Sequence, residues 1–160
     1  MEYEDVATDP RLALIYEQSE KLLDQQSADL ASIRTRASVT LSAGSIATSF
    51  LAPQALRVGE WDGVLIAATV LLIAAALLDM AILIPIKGWG FSHKPQVLLD
   101  VYVDGPKPRS IQGMHRTLAL ANQTLAGKNR CRLDVLYYLY TASVAALALS
   151  IALWLRPLIT

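Results

Sequence analysis

Few of the 160 residues combine a reactive side chain with a spacing that suggests chemistry. Asp79 stands out, because it is the one charge in the apolar stretch GVLIAATVLLIAAALLDMAILIPI from Gly63 to Ile86. A carboxylate in hydrocarbon is costly, so it either pairs with a basic or hydroxyl group of a neighbouring helix or serves an ion path. Ser38, Ser42, Ser45 and Ser49 recur every three or four residues. That spacing gathers four hydroxyls within about 60° of a helical wheel and leaves Val39, Ala43, Ile46 and Phe50 on a different face. A stripe of this kind either lets helices pack closely, its hydroxyls bonded within or across helices, or lines a polar conduit in an oligomer. Both readings stay open. Arg34, Arg36, Lys128, Arg130 and Arg132 flank apolar segments and are suited to anionic lipid headgroups, at about 1 kcal/mol each.

Other reactive groups lack partners by spacing. His93 and His115 are too far apart to form a ligand pair and read as surface residues. Cys131 is the single cysteine, which excludes an intramolecular disulfide and leaves too few sulfurs for a structural zinc site. Arg130 and Arg132 beside it favour the thiolate, so it reads either as an acylation site or as an ordinary interfacial thiol. The sequence holds neither a glycine-rich phosphate loop nor a serine nucleophile elbow. The expectation is therefore a protein that is not an enzyme, with no cofactor and no metal.

The elements that must position these residues are helices. With 54% hydrophobic and 18% charged residues and a mean hydropathy of +0.39, the chain is too apolar for an ordinary soluble domain. The stretch 63–86 suits a hydrocarbon core of about 30 Å, which only a helix crosses with its own polar backbone groups satisfied. Ahead of it, Asp9 and Pro10 read as a cap and first position, and Leu12, Ile15, Leu22, Leu23, Leu30 and Ile33 as a packing face interrupted by Ser19 and Gln26. No breaker separates that helix from 37–51, so one continuous rod is expected, entering the membrane near Arg34 and Arg36 and ended by Pro53. A short exposed turn with Trp61 follows. Past 63–86, Trp89 and Phe91 read as interface anchors.

The run VLLDVYV from Val97 to Val103 suits either a short surface helix or an extended piece. Ser110 reads as the cap of a second amphipathic helix with Ile111, Met114, Leu118, Ala121 and Leu125 on one face. Gly127 weakens that helix without stopping it, and it leads into a third apolar segment. Tyr137, Tyr138 and Tyr140 stand toward the start of that segment, Trp154 at its far interface, and Pro157 closes it.

The expected fold is thus an all-α membrane protein with three transmembrane helices and a cytoplasmic helical stalk. Its parts are a cytoplasmic amphipathic helix (1–36), transmembrane helix 1 (37–56), transmembrane helix 2 (63–86), a cytoplasmic loop with an amphipathic helix (87–132) and transmembrane helix 3 (133–156). The acidic start MEYEDVATDP is no signal peptide, so a span serves as the targeting signal. Of the 14 Lys and Arg residues, 12 fall on the side of the N-terminus and the second loop, against Arg57 and Arg156 on the other. The positive-inside rule puts the N-terminus in the cytoplasm and the C-terminus outside.

A cytoplasmic helix ending in DQQSADLASIRTRASVTLSAGSIATSFL, a hairpin of spans, the exit PIKGWGF, and a helix containing Asn122 and Asn129 before a terminal span form a familiar pattern. It resembles the bacterial SLATT and Pycsar-type small transmembrane effectors, in which a basic residue next to alanine at the membrane entry, here Arg36 and Ala37, leads into a small-residue span. The resemblance implies an oligomeric inner-membrane effector of antiphage defence that impairs membrane integrity. Its partners would be further copies of itself, membrane lipids, and a nucleotide-signalling partner or a cyclic nucleotide, with no nucleic acid. The chain departs from the pattern in carrying no recognisable nucleotide-sensing domain and in having a third span. The rival reading is a non-catalytic accessory or structural subunit of a larger membrane complex.

Overall fold

The computed structural model describes residues 10–58, 63–85, 88–93, 98 and 110–159, with the side chains of 55, 56, 58 and 157–159 set aside. Among these residues the protein is all-helical, with α1 (Pro10–Val58), α2 (Gly63–Leu83) and α3 (Ile111–Ile159). Helices α1 and α3 each run 49 residues without a break, and α2 runs 21. Asp9, Trp61, Lys87 and all of the run 97–103 but Leu98 lie outside the described residues. The Ser110 cap is as the sequence predicts: its hydroxyl accepts from the Gly113 amide at 3.2 Å, and its carbonyl accepts from Met114 at 3.0 Å. Gly127 leaves α3 intact.

One expectation is corrected at Pro53, which does not end α1. The helix continues to Val58 with the proline inside it. Proline removes a single amide donor from the ladder, and the remaining hydrogen bonds of this 49-residue helix carry it past that gap.

The long helices share one pattern of burial. In α1 the buried positions are Leu23, Gln26, Leu30, Ile33 and Ala37, followed by Gly44. In α3 they include Leu118, Ala119, Asn122, Ala126, Asn129, Leu133, Leu136, Ser143, Ser150 and Trp154. Spacings of three, four and seven make this the heptad seam of a coiled coil. Ile15, Leu22 and Ile111, assigned by sequence to packing faces, are more than two-fifths exposed. The seam is rotated from them because it follows the polar positions Ser19, Gln26 and Asn122, which find partners across it.

The chain forms two compact units. Unit 1 comprises Met1–Asp29 and Lys87–Leu133, and unit 2 comprises Leu30–Ile86 and Asp134–Thr160. In unit 2, α2 runs antiparallel to α3: Ser143 donates to the Ala75 carbonyl at 3.3 Å and Ser150 to the Ala68 carbonyl at 2.8 Å. Helix α1 runs parallel to α3, with Gly44 against Leu147, and Leu51 and Ala52 packed on a cluster of Leu65, Ala68 and Trp154. Trp154, expected at an interface, is therefore a core residue only 3% exposed. Its ring fills the space left by Ala68, whose small side chain lets α3 approach closely.

Unit 2 holds a few polar groups within a largely apolar core and exposes apolar stripes on its surface. The buried side chains of α2 include Asp79, while Ile66, Val70, Ile73, Leu77, Met80 and Ile84 form an exposed stripe. Exposed stripes also run along α1 through Val39, Ala43, Ile46 and Phe50 and along α3 through Val135, Tyr138 and Leu149. Helix α2 and the segment Ile111–Arg156 of α3 are long and apolar enough to cross a membrane, and 28% and 17% of their most apolar windows are buried. Such low shares are unlike the core helix of a soluble protein, which hides its apolar residues.

A Cβ added at Gly44 would stand 2.9 Å from Leu147 Cδ1, so the fit of α1 on α3 depends on a missing side chain. Gly44→Ala, met only by the tip of a leucine, should cost little, whereas Gly44→Leu should destabilise unit 2 by about 1–3 kcal/mol through overpacking. Thermal unfolding of the two variants in a mild detergent checks this.

Candidate functional site

Two places gather side chains of chemical interest, one in each unit. In unit 2, the α1 face bearing Gly44 and the α2 face bearing Ala76 enclose a groove of about 510 Å³ with Leu147 at its wall. Thr40, Ser45, Thr48 and Ser49 line it from α1, and Asp79 lines it from α2. Asp79 is 1% exposed, and its Oδ1 has no hydrogen-bond partner. Ser143 lies beside it.

The structure divides the serine stripe. Ser38, Ser42, Ser45 and Ser49 are all exposed, but only Ser45 and Ser49 line the groove. Ser42, Ser45 and Ser49 donate to the carbonyls of Ser38, Leu41 and Ser45 at 2.7–2.9 Å, and Thr48 donates to Gly44 at 2.7 Å. Their protons are thus spent within α1, and the groove meets their oxygen lone pairs. The buried hydroxyls are on α3 instead, at Ser143 and Ser150. Their seven-residue spacing in line with Asn122 and Asn129 was the sequence signal that could have found them.

Unit 1 is built on a polar ladder between α1 and α3. Asn122, 1% exposed, donates to Ser19 Oγ at 3.0 Å and meets His93 Nε2 through its Oδ1 at 2.8 Å. Ser19 donates to the Tyr16 carbonyl at 2.7 Å, and Gln26 Nε2 donates to the Ala126 carbonyl at 3.0 Å. Asn129 donates to the Gly90 carbonyl at 2.9 Å, and Arg132 donates to the Gly88 carbonyl. The segment 88–93 is thereby fastened to α3. Gly88 has φ 98°, and a Cβ there would meet the Arg132 guanidinium at 3.2 Å, so the site takes glycine on both counts.

Both histidines differ from the expectation of surface residues. His93 is half-buried and bonded to Asn122, and His115 stacks on Tyr16 with ring centroids 5.4 Å apart. The physical reason is a partner on another segment, the Asn122 amide of α3 for His93 and the Tyr16 ring of α1 for His115, which sequence spacing does not reveal. Trp89 and Phe91 stack on each other at 5.6 Å, with the Arg132 guanidinium 5.8 Å from the Trp89 ring.

A second cavity of about 260 Å³ in unit 1 is lined by Tyr16, Glu20, Asp24, Phe91, His93 and Asn122, among others. Burial above all, then the hydrogen bond to Glu20 and the carboxylate's charge, pushes the Tyr16 phenol up to about 12. Lys21, 2.8 Å from Glu17, holds the exposed Glu17 carboxyl below its ordinary range.

Of the cations assigned to lipid headgroups, Arg36, Lys128 and Arg130 are exposed, Arg34 is half-buried, and Arg132 is occupied with Gly88 and Trp89. Cys131 is exposed. Among the described residues, no group of three or more His, Cys, Asp and Glu side chains is placed to hold a metal ion.

Family models, curated proteins and solved structures offer no match to this chain.

Asn122→Ala removes both bonds of a buried amide and strands His93, and should destabilise unit 1 by about 1–3 kcal/mol. Chemical unfolding followed by circular dichroism measures it. The phenol of Tyr16 has a higher pKa folded, about 12, than its ordinary 10.0, so its stabilising contribution is complete below about pH 10 and lost as pH rises through 12. Tyr16→Phe should flatten this alkaline fall in stability, which melting curves between pH 9 and pH 12 would report.

Proposed function

We propose that this protein is an oligomeric inner-membrane effector that impairs membrane integrity on a cytoplasmic signal, in antiphage defence as its resemblance to the SLATT and Pycsar-type effectors implies. The observation that carries the reading is the apolar surface of unit 2 around a core that holds polar groups. Apolar stripes face outward on all three helices, and a carboxylate and two hydroxyls, Asp79, Ser143 and Ser150, are held inside. That arrangement suits hydrocarbon rather than water, and it is the ground for taking residues 37–56 of α1 as a third span beside α2 and α3.

Three helices enclose no water-filled path, so a leak requires several copies. In the assembled state Ser38, Ser42, Ser45 and Ser49 would face the conduit, their exposed lone pairs replacing part of an ion's hydration shell. Arg34, Arg36, Lys128 and Arg130 would lie at the cytoplasmic headgroups, and the N-terminus would be cytoplasmic and the C-terminus outside.

The trigger is better supplied by a nucleotide-signalling partner than by direct capture of a cyclic nucleotide. The unit 1 cavity carries Glu20 and Asp24, which repel a phosphate. A second reading, an accessory subunit of a larger membrane complex, is favoured by the α2 stripe of Ile66, Val70, Ile73, Leu77, Met80 and Ile84. Its spacing of three and four would suit a partner helix.

Controlled expression in a bacterial host with a potential-sensitive dye separates the readings. The effector reading expects depolarisation by the wild type and none by an inserted Ser42→Leu, Ser45→Leu double variant. A harmless wild type that co-purifies in fixed stoichiometry with another membrane protein would support the subunit reading instead.

A further inference from the structure

We propose that the groove of unit 2 binds a lipophilic cation, an apolar molecule bearing one quaternary or protonated nitrogen, with its charge at Asp79. This assignment does not rest on the leak. Three observations converge on it.

The first is shape and polarity. A groove of about 510 Å³ is the size of a small-molecule site, and its walls are dominated by Leu41, Leu72, Ile73, Ala76 and Leu147. Ile73 is exposed, so the groove is open to whatever surrounds unit 2. A ligand that partitions into a bilayer reaches it without crossing water.

The second is the sign of the charge that the groove accepts. Three of the four lining hydroxyls, Ser45, Thr48 and Ser49, donate their protons to carbonyls of α1, so these three face a ligand as acceptors. Asp79 is the single charged residue of the lining, and its Oδ1 is buried without a partner. A lipid phosphate or other anion would find no N–H donor from side chains here and would oppose a carboxylate. A cation supplies the missing partner, which intramembrane carboxylates ordinarily have. A divalent metal takes several charged oxygen ligands, whereas Asp79 is the single carboxylate of the lining.

The third is position. Helices α1 and α2 run antiparallel, and Ala52 packs near Leu65 and Ala68. Counting back along both helices places Thr40 level with Asp79. Asp79 therefore closes one end of the groove, while Ala52 and Pro53 line the other, about 20 Å away at 1.5 Å per residue. A charge at one end of a long apolar slot fits an amphiphile whose hydrocarbon body lies along α1.

The test uses the full chain in non-ionic detergent and two probes of matched size and opposite charge, tetraphenylphosphonium and tetraphenylborate. Calorimetry or equilibrium dialysis should show saturable binding of the phosphonium and none of the borate. Asp79→Asn, which keeps the shape and removes the charge, should weaken the phosphonium at least tenfold. Ala76→Leu, which keeps the charge and fills the groove, should do the same, with circular dichroism confirming that each variant is folded. Equal partition of both ions into wild-type protein, no saturable phosphonium binding, or a folded Asp79→Asn that binds as well as wild type would each overturn the proposal. The wild-type comparison needs no variant to fold, and binding in detergent is read independently of depolarisation in cells.

Discussion

Polar side chains on one heptad series of α3 hold this protein's helices in register. Asn122, Asn129, Ser143 and Ser150 are all buried, and each reaches an oxygen on another segment of chain: a serine hydroxyl, the Gly90 carbonyl, and the carbonyls of Ala75 and Ala68. An apolar seam tolerates sliding by a turn, because one leucine resembles the next. A buried amide or hydroxyl does not, since a slip of one turn strands it at a cost of about 1–3 kcal/mol. The constraint is met in each unit by different chemistry, amides in unit 1 and hydroxyls in unit 2.

The division follows from the surroundings each unit is suited to. In unit 1, Asn122 and Asn129 reach far enough to fasten a non-helical segment, residues 88–93, to α3. In unit 2, serine and alanine keep α2 and α3 close enough for a hydroxyl to meet a backbone carbonyl that already accepts a helical bond, which is how small residues join helices in hydrocarbon. Large apolar side chains of unit 2 are turned outward as a result, and α2 displays five of them on one face, with Ile84 just past its end.

Asp79 departs from this economy of partners, as do Arg34 Nε and Trp154 Nε1 in the same unit. Its Oδ1 is buried and unsatisfied in a unit where the serines on α3 have found acceptors. It borders a groove in which three of the four lining hydroxyls, Ser45, Thr48 and Ser49, donate within α1. The readings of this protein as a membrane effector and as a receptor for a lipophilic cation draw on the same bundle and share Ser45 and Ser49, which belong both to the α1 serine stripe and to the lining of the α1–α2 groove.

Sequence alone determined that the protein is helical, that α1 and α3 are long and uninterrupted, that Ser110 caps α3, and that Asp79 sits in apolar surroundings. These follow from periodicity, capping chemistry and the run of apolar residues, all of them local. It did not determine which face of each long helix is the seam. Ile15 and Leu22 looked like core and are exposed, whereas Gln26 and Ser19 looked like gaps and form rungs of the ladder, because a polar residue is buried only when a partner from a distant part of the chain meets it. Pro53 inside α1, Trp154 in the core and the two histidines against α1 and α3 were decided in the same way. Each depends on what a neighbouring helix presents at that height, and no spacing within one helix encodes that.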